Sequence, residues 1–305
     1  LVMGNSSQEF GYVPARLSDD PEQLTDSQEQ RQSPFARFAL GFGAASGGVL
    51  AVALLALVAS VVRHNHGPEV PHKELAHLDC FLPAGGPVWN PRESCIPHLS
   101  AYAERGEYES EVDEAYEEAT TYFAGITPSA DCLDTVVFDI DETILSNLSE
   151  IEREGFLHNS TQWDGWVRDA DAPAHKAALK LYKHLHKRGF SLMLITGRHS
   201  YQREDTLKNL EHAGFGTQCP QNGTVCGPQA EGDSPCFRAV RVRTEAEADD
   251  LASVYKPRVR KEFIRAFGLR MAGLFGDQWS DLSGPGGADE GAALFKLPNP
   301  FYFIP

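Results

Sequence analysis

Positive charge is scarce in this 305-residue chain: 27 Lys+Arg stand against 43 Asp+Glu, a formal net charge of −16. A surface of that sign repels polyanions, which argues against a nucleic-acid partner and against general adhesion to anionic membranes. An anionic substrate would have to be gripped locally, by a metal ion or by oriented donors. Cysteine is sparse as well, six in all, with no Cys-x-x-Cys pair and no zinc-ligand spacing. The 27 glycines follow no three-residue period and charged residues make up 23%, so collagen-like, coiled-coil and wholly disordered chains are poor descriptions. What remains is an ordinary hydrophobic content of 42%, enough for one globular domain with added segments.

The additions sit at the front. Residues 1–37 are rich in Ser, Gln, Pro and acids and read as a disordered polar tail. From Phe38 to Val62 no residue is charged. As a helix these positions would reach about 38 Å against a hydrocarbon core of about 30 Å, which predicts one transmembrane helix. Gly43 and Gly47 form a small-xxx-small pair that could let two such helices approach, a route to a homodimer, although glycine is common in membrane helices in any case. Arg31 and Arg37 are balanced by Arg63 and Lys73, so flanking charge does not orient the span. Cysteine does: Cys80, Cys95, Cys132, Cys219, Cys226 and Cys236 all follow it, an even number suited to disulfides, with fifteen pairings open. Sequons at Asn147, Asn159 and Asn222 lie on the same side, with one at Asn5 on the other. The expectation is a single-pass membrane protein whose carboxyl-terminal domain is lumenal or extracellular, with a linker over 63–79 and the folded domain over 80–305.

Within that domain Tyr108, Val112, Ala115, Tyr116, Ala119, Tyr122 and Phe123 recur at helical spacing among acids, predicting an amphipathic helix that ends near Gly125. The chemistry starts where the apolar run Thr135–Phe138 meets two carboxylates one residue apart, Asp139 and Asp141. Such a run reads as a buried parallel strand. Paired carboxylates repel unless a cation sits beside them, and their spacing allows one to attack an electrophile while the other handles a proton. A second apolar run, Ser191–Ile195, ends in Thr196, Gly197 and Arg198, groups suited to phosphate oxygens. Val254-Tyr255-Lys256 reads as a short extended stretch supplying a lysine, with a helix starting near Arg260. A fourth run, Met271–Gly276, ends in Asp277 and Asp281. Hard oxygen ligands at strand ends point to Mg²⁺ rather than zinc.

In this order, Asp139-x-Asp141-x-Thr143, Thr196-Gly197-Arg198, Lys256 and Gly276-Asp277-x-x-x-Asp281 resemble the four motifs of the haloacid dehalogenase superfamily. More narrowly the chain resembles the plant acid phosphatase and vegetative storage protein family, related to bacterial class B and lipoprotein acid phosphatases. The narrower likeness rests on Phe138–Asn147, Trp163-Asp164-Gly165-Trp166-Val167, Gly276–Leu282 and Phe295–Pro300, and spans about residues 80–305.

The resemblance implies an α/β, Rossmann-like fold with a mostly parallel sheet and a small cap. It implies that Asp139 is the nucleophile and Asp141 the general acid and base, acting on a small phosphate monoester through an aspartyl-phosphate. Thr143, Thr196, Gly197 and Lys256 would bind the phosphoryl group. Mg²⁺ would be held by Asp139, the main-chain carbonyl of Asp141, and Asp277, with Asp281 steadying them from behind. Phe156, Trp163, Trp166 and His175, between the first two motifs, are candidates for substrate contact, with core packing the competing role for the tryptophans. His175 departs from the family pattern, and Gly214–Val254 does not align with it. Two rival functions stay open: a catalytically idle storage or interaction protein, and a phosphotransferase.

Overall fold

The structure is a computed structural model that describes residues 80–82, 88–220 and 234–304. The expected tail (1–37), membrane helix (38–62), linker (63–79), Gly43/Gly47 pair and Asn222 sequon lie outside the described residues. Strands β1 (Phe81–Leu82) and β2 (Asn90–Pro91) precede helices α1 (Ile96–Glu104) and α2 (Glu107–Ala124). Strand β3 (Asp134–Phe138) leads through a loop to α3 (Leu148–Arg153), α4 (Ser160–Asp169) and α5 (Lys176–Arg188), then to β4 (Ser191–His199). After α6 (Arg203–His212) come β5 (Thr217–Gln218), β6 (Cys236–Phe237), β7 (Ala239–Arg243) and α7 (Ala252–Phe267). The chain closes through β8 (Arg270–Gly276), α8 (Trp279–Leu282) and β9 (Ala293–Lys296).

The main sheet has the order β7-β4-β3-β8-β9, and all of its pairings are parallel. A parallel sheet is stable when both faces are covered, and the side chains divide accordingly. Val136, Phe138, Leu192 and Leu194 join a core with Tyr108, Tyr116, Phe123, Leu181 and Tyr182 of α2 and α5. Their neighbours Val137, Met193 and Ile195 join another with Tyr255 and Val259 of α7. Because successive side chains of β3 enter opposite cores, Val136, Val137 and Phe138 read as an uninterrupted apolar run. A stack of rings ties the strands together: Phe138 to Phe275 at 4.6 Å and Phe275 to Phe295 at 4.4 Å, across β3, β8 and β9. Such contacts add about 0.5–1.5 kcal/mol each beyond area burial.

Helix α2 follows the expected amphipathic pattern, with Tyr108, Val112, Ala115, Tyr116, Ala119 and Phe123 buried and Gly125 after its last turn. Helix α7 differs from expectation, since Tyr255 and Lys256 lie in its second turn and Pro257 is accommodated inside it. Among the described residues, the disulfides Cys80–Cys95 and Cys219–Cys236 pin the start of the chain and the β5-β6 pair.

The membrane assignment is corrected. Among the described residues no helix is long and apolar enough to cross a membrane. The 18-residue α2 carries a row of acids on its outer face, and the apolar runs in this part of the chain are short strands inside a sheet. The picture of a single-pass membrane protein with a lumenal or extracellular carboxyl-terminal domain therefore finds no support among the described residues.

Two suggested substrate contacts prove to be core. Phe156 is buried with its ring 5.8 Å from that of Phe301. His175 is buried before α5, its ring 5.7 Å from Tyr108, and its main-chain N–H donates to Ile144 O at 2.9 Å. Burial lowers the His175 pKa to about 4. The folded state thus keeps His175 neutral in a range where the unfolded chain binds a proton, so stability falls as pH drops from about 6.5 to about 4, by about 3 kcal/mol in all. Urea unfolding at pH 7, 5.5 and 4 should show that His175→Gln loses less stability over this range than the wild type. Parallel curves for the two proteins would refute it.

Candidate active site

Strand register assembles the site. Phe138 pairs with Leu194 on one side and Phe275 on the other, so the residues that follow each emerge together at the carboxyl ends of β3, β4 and β8. This is where parallel α/β sheets place their ligands. Asp139, the first residue after β3, is anchored by its own N–H to Phe275 O at 3.0 Å. Its Oδ1 accepts a hydrogen bond from Lys256 Nζ at 2.6 Å. The same ammonium donates to Asp281 Oδ1. Asp139, Asp277 and Asp281 are all buried and bring ligand oxygens within 4.8 Å of one another. Thr143 Oγ1 lies 3.4 Å from both Asp139 Oδ2 and Asp277 Oδ1.

The titration behaviour follows from this crowding. Burial pushes the Asp139 carboxyl up; Lys256 pulls it back, but Asp281 and Asp277 add to the rise, and it ends well above the usual range. Burial and the Asp281 charge lift Asp277 to about 6. For Lys256 burial works against the charge, yet Asp139 and Asp281 outweigh it and hold the ammonium above the ordinary lysine value. Lys256 is hydrogen-bonded to two of these three crowded carboxyl groups, and the surplus of hard oxygen donors over that one ammonium suits a hard divalent cation.

Asp141 belongs to a different network. Arg198 grips it with both arms, Nε to Oδ2 at 3.0 Å and Nη2 to Oδ1 at 2.7 Å, and Asn147 Nδ2 donates to Oδ1 at 3.1 Å. The guanidinium expected to face phosphate is therefore spent on the carboxylate. Asn147 is fixed in turn by Trp166 Nε1, which donates to its Oδ1 at 2.8 Å. With its side chain buried and engaged, Asn147 is closed to glycosylation. Trp163 is half-buried, and the Arg198 guanidinium stands 5.8 Å from its ring centre. Thr196 and Gly197 stand at the end of β4, where Thr196 Oγ1 accepts the Arg198 N–H at 3.1 Å and the Gly197 carbonyl accepts Arg243 Nε at 3.1 Å.

Several residues were not singled out from sequence. Asp277 Oδ2 accepts from Gln278 Nε2 and from Asn299 Nδ2, both at 2.7 Å. Asp281 Oδ2 accepts the Gln278 N–H at 2.9 Å. Arg260, one turn beyond Lys256, donates to the carbonyls of Asp281 (2.8 Å), Pro285 (3.0 Å) and Ser283, and so clamps the loop that bears Asp281. Glu142 is buried between Asn147 and Tyr302, and burial together with the Asp141 and Asp277 charges raises its pKa to about 8. Glu142 and Asn147 lie inside the recognised run Phe138–Asn147, and Asn299 inside Phe295–Pro300; the runs were visible, but the partners were not.

Gly276 makes the closeness of Asp277 and Asp281 feasible. A Cβ there would stand 2.1 Å from Asp281 Cβ. Gly276→Ala is expected to cost about 1–3 kcal/mol in urea unfolding through overpacking, and to weaken the site by displacing Asp281 from Lys256. Unchanged stability in that variant would contradict the packing described.

A family model described as HAD superfamily, subfamily IIIB (Acid phosphatase), matches residues 87–305. Acid phosphatase 1 of Solanum lycopersicum is 32% identical over 215 residues, covering 70% of this chain and 75% of the relative. Stem 28 kDa glycoprotein of Glycine max is 33% identical over 215 residues, covering 70% and 76%. Vegetative storage protein 2 of Arabidopsis thaliana is 28% identical over 203 residues, covering 65% and 67%.

Proposed function

The chain belongs to the acid phosphatases of HAD subfamily IIIB and is a phosphomonoesterase hydrolase, and from that premise we propose that it cleaves small phosphate monoesters in two steps through an aspartyl-phosphate on Asp139. The observation that carries this reading is the separation of the two carboxylates: Asp139 lies against Lys256 at 2.6 Å, while Asp141, two residues on, is held by Arg198 and Asn147.

Asp139 Oδ attacks phosphorus in line as the bond to the leaving oxygen breaks. As that bond breaks, Asp141 turns one oxygen from Arg198 to the leaving oxygen and, as general acid, supplies it with a proton. It then takes a proton from the water that attacks phosphorus, releasing inorganic phosphate and restoring Asp139. Lys256, the hydroxyls of Thr143 and Thr196 and the N–H of Gly197 hold the phosphoryl oxygens. Positioning and charge neutralisation do most of the work in such a transfer. The donor set fits Mg²⁺: Asp139, the main-chain carbonyl of Asp141, and Asp277 would hold it, with Asp281 behind them. When bound, the ion would neutralise charge on the phosphoryl oxygens. Orientation of Asp277 falls to Gln278 and Asn299, and of Asp281 to Lys256 and the Gln278 N–H.

Relatives named as storage proteins support a second reading, a fold kept without turnover. The presence of Asp139, Asp141, Lys256 and Asp277 together favours catalysis. With the 305-residue protein and p-nitrophenyl phosphate, turnover should be abolished by EDTA and restored by Mg²⁺. Asp139→Asn should lower kcat by about 10⁴-fold or more, and Asp141→Asn by about 10²- to 10⁴-fold. Folded, Mg²⁺-saturated protein that releases no phosphate would leave the storage reading standing instead.

A further inference from the structure

The turn that carries Asp141 is held from outside itself. Glu142, the next residue, has φ +55, a left-handed backbone that residues with a side chain occupy when their surroundings enforce it. The enforcement is visible at both carboxylate oxygens. Oε1 accepts the Asn147 N–H at 2.8 Å, and Oε2 accepts the hydroxyl of Tyr302. Tyr302 comes from a segment that leaves β9 and touches the fourth motif repeatedly. The Leu297 N–H donates to Gly276 O at 2.9 Å, Asn299 Nδ2 to Asp277, and the Ile304 N–H to Gln278 Oε1 at 3.1 Å. Asn299 Oδ1 accepts the Phe301 N–H at 3.0 Å, which shapes the bend that brings Tyr302 round. The bend is moored on its far side, where Trp89 and Phe303 exchange main-chain hydrogen bonds at 2.8 and 3.2 Å.

We propose that Glu142 and Tyr302 are positioning residues for phosphate-ester cleavage: the Tyr302 hydroxyl clamps the Glu142 carboxylate, and the clamp holds the left-handed turn that sets where Asp141 stands relative to Asp139. The clamp reaches Asp141 by two routes. One is the main chain, since Glu142 is its neighbour. The other is Asn147, which gives its N–H to Glu142 and its Nδ2 to Asp141. Neither Glu142 nor Tyr302 has to touch the phosphate for this, and their effect belongs in kcat rather than in substrate affinity.

The inference rests on the phosphatase reading, and kinetics on the 305-residue protein with saturating Mg²⁺ and p-nitrophenyl phosphate test it, each rate being divided by the folded fraction from near-UV circular dichroism. Tyr302→Phe keeps the ring and removes the hydroxyl; it should lower kcat about tenfold with KM within about twofold of wild type. Glu142→Ala should lower kcat about a hundredfold. Glu142→Gly, which enters positive φ without strain, should stay about fivefold or more above Glu142→Ala. In the Glu142→Gly background Tyr302→Phe should cost less than about twofold, because the clamp is already gone. Equal losses from Tyr302→Phe in both backgrounds, or a change confined to KM, would overturn the proposal. If the Glu142 variants do not fold, Tyr302→Phe decides alone: an unchanged kcat overturns it. Wild-type protein without turnover would bring down the phosphatase reading and this proposal with it, whereas an active wild type with an indifferent Tyr302→Phe brings down the proposal by itself.

Discussion

A single buried ammonium organises the site. Lys256 lies between Asp139 and Asp281, with Asp277 close by, in a region from which water is largely removed. Buried charges are costly unless paired and hydrogen-bonded, so this grouping needs each partner in place. The rest of the structure can be understood as the means of bringing them there. Parallel register delivers Asp139 and Asp277 to one edge of the sheet, and the bare Cα of Gly276 lets the Asp281 side chain close in. Helix α7 presents Lys256 and Arg260 on successive turns, the first to carboxylates and the second to the carbonyls of the loop behind them.

The two carboxylates of the first motif are two residues apart and meet different cations. Asp139 is paired with Lys256, a compact charge on a flexible stem; Asp141 is paired with the planar fork of Arg198, which fixes a carboxylate in two directions at once. Arg198 is itself steadied by Thr206 Oγ1 at 3.2 Å, and Asn147 by Trp166. One turn of backbone therefore presents two acids in distinct electrostatic settings, one beside an ammonium and the other beside a guanidinium. Helix α4 is tied to the segment after β4 from its middle, where Asp164 Oδ1 accepts from Tyr201 at 3.0 Å and Gln202 at 2.7 Å.

The parts of this arrangement that were legible in the sequence share a cause. Strands β3, β4 and β8 are buried on both faces, so they appear as unbroken apolar runs, and chemistry-bearing residues at their carboxyl ends stand out against them. Helix α2 showed itself through a regular apolar stripe. The start of α7 read as a short extended stretch over Val254–Lys256, whereas the helix already runs from Ala252 and takes in Pro257. Arg198 was recognised by type, but its true partner is 57 residues away and leaves no local trace. His175 and Phe156 looked available for substrate because their position between motifs was known and their burial was not. The Tyr302–Glu142 contact spans 160 residues and was beyond the reach of any pattern.

Those separations bear on how the molecule comes into being. Lys256 meets Asp139 across 117 residues and Arg198 meets Asp141 across 57, while Thr143 meets Asp277 across 134. Contacts so distant along the chain form late, after the entropy of closing large loops has been overcome. A half-folded molecule would carry all of the carboxylates but few of their cations, with no geometry in which they could act together. Competence for chemistry therefore waits on the completed sheet, and a chain caught on the way there is inert rather than indiscriminate.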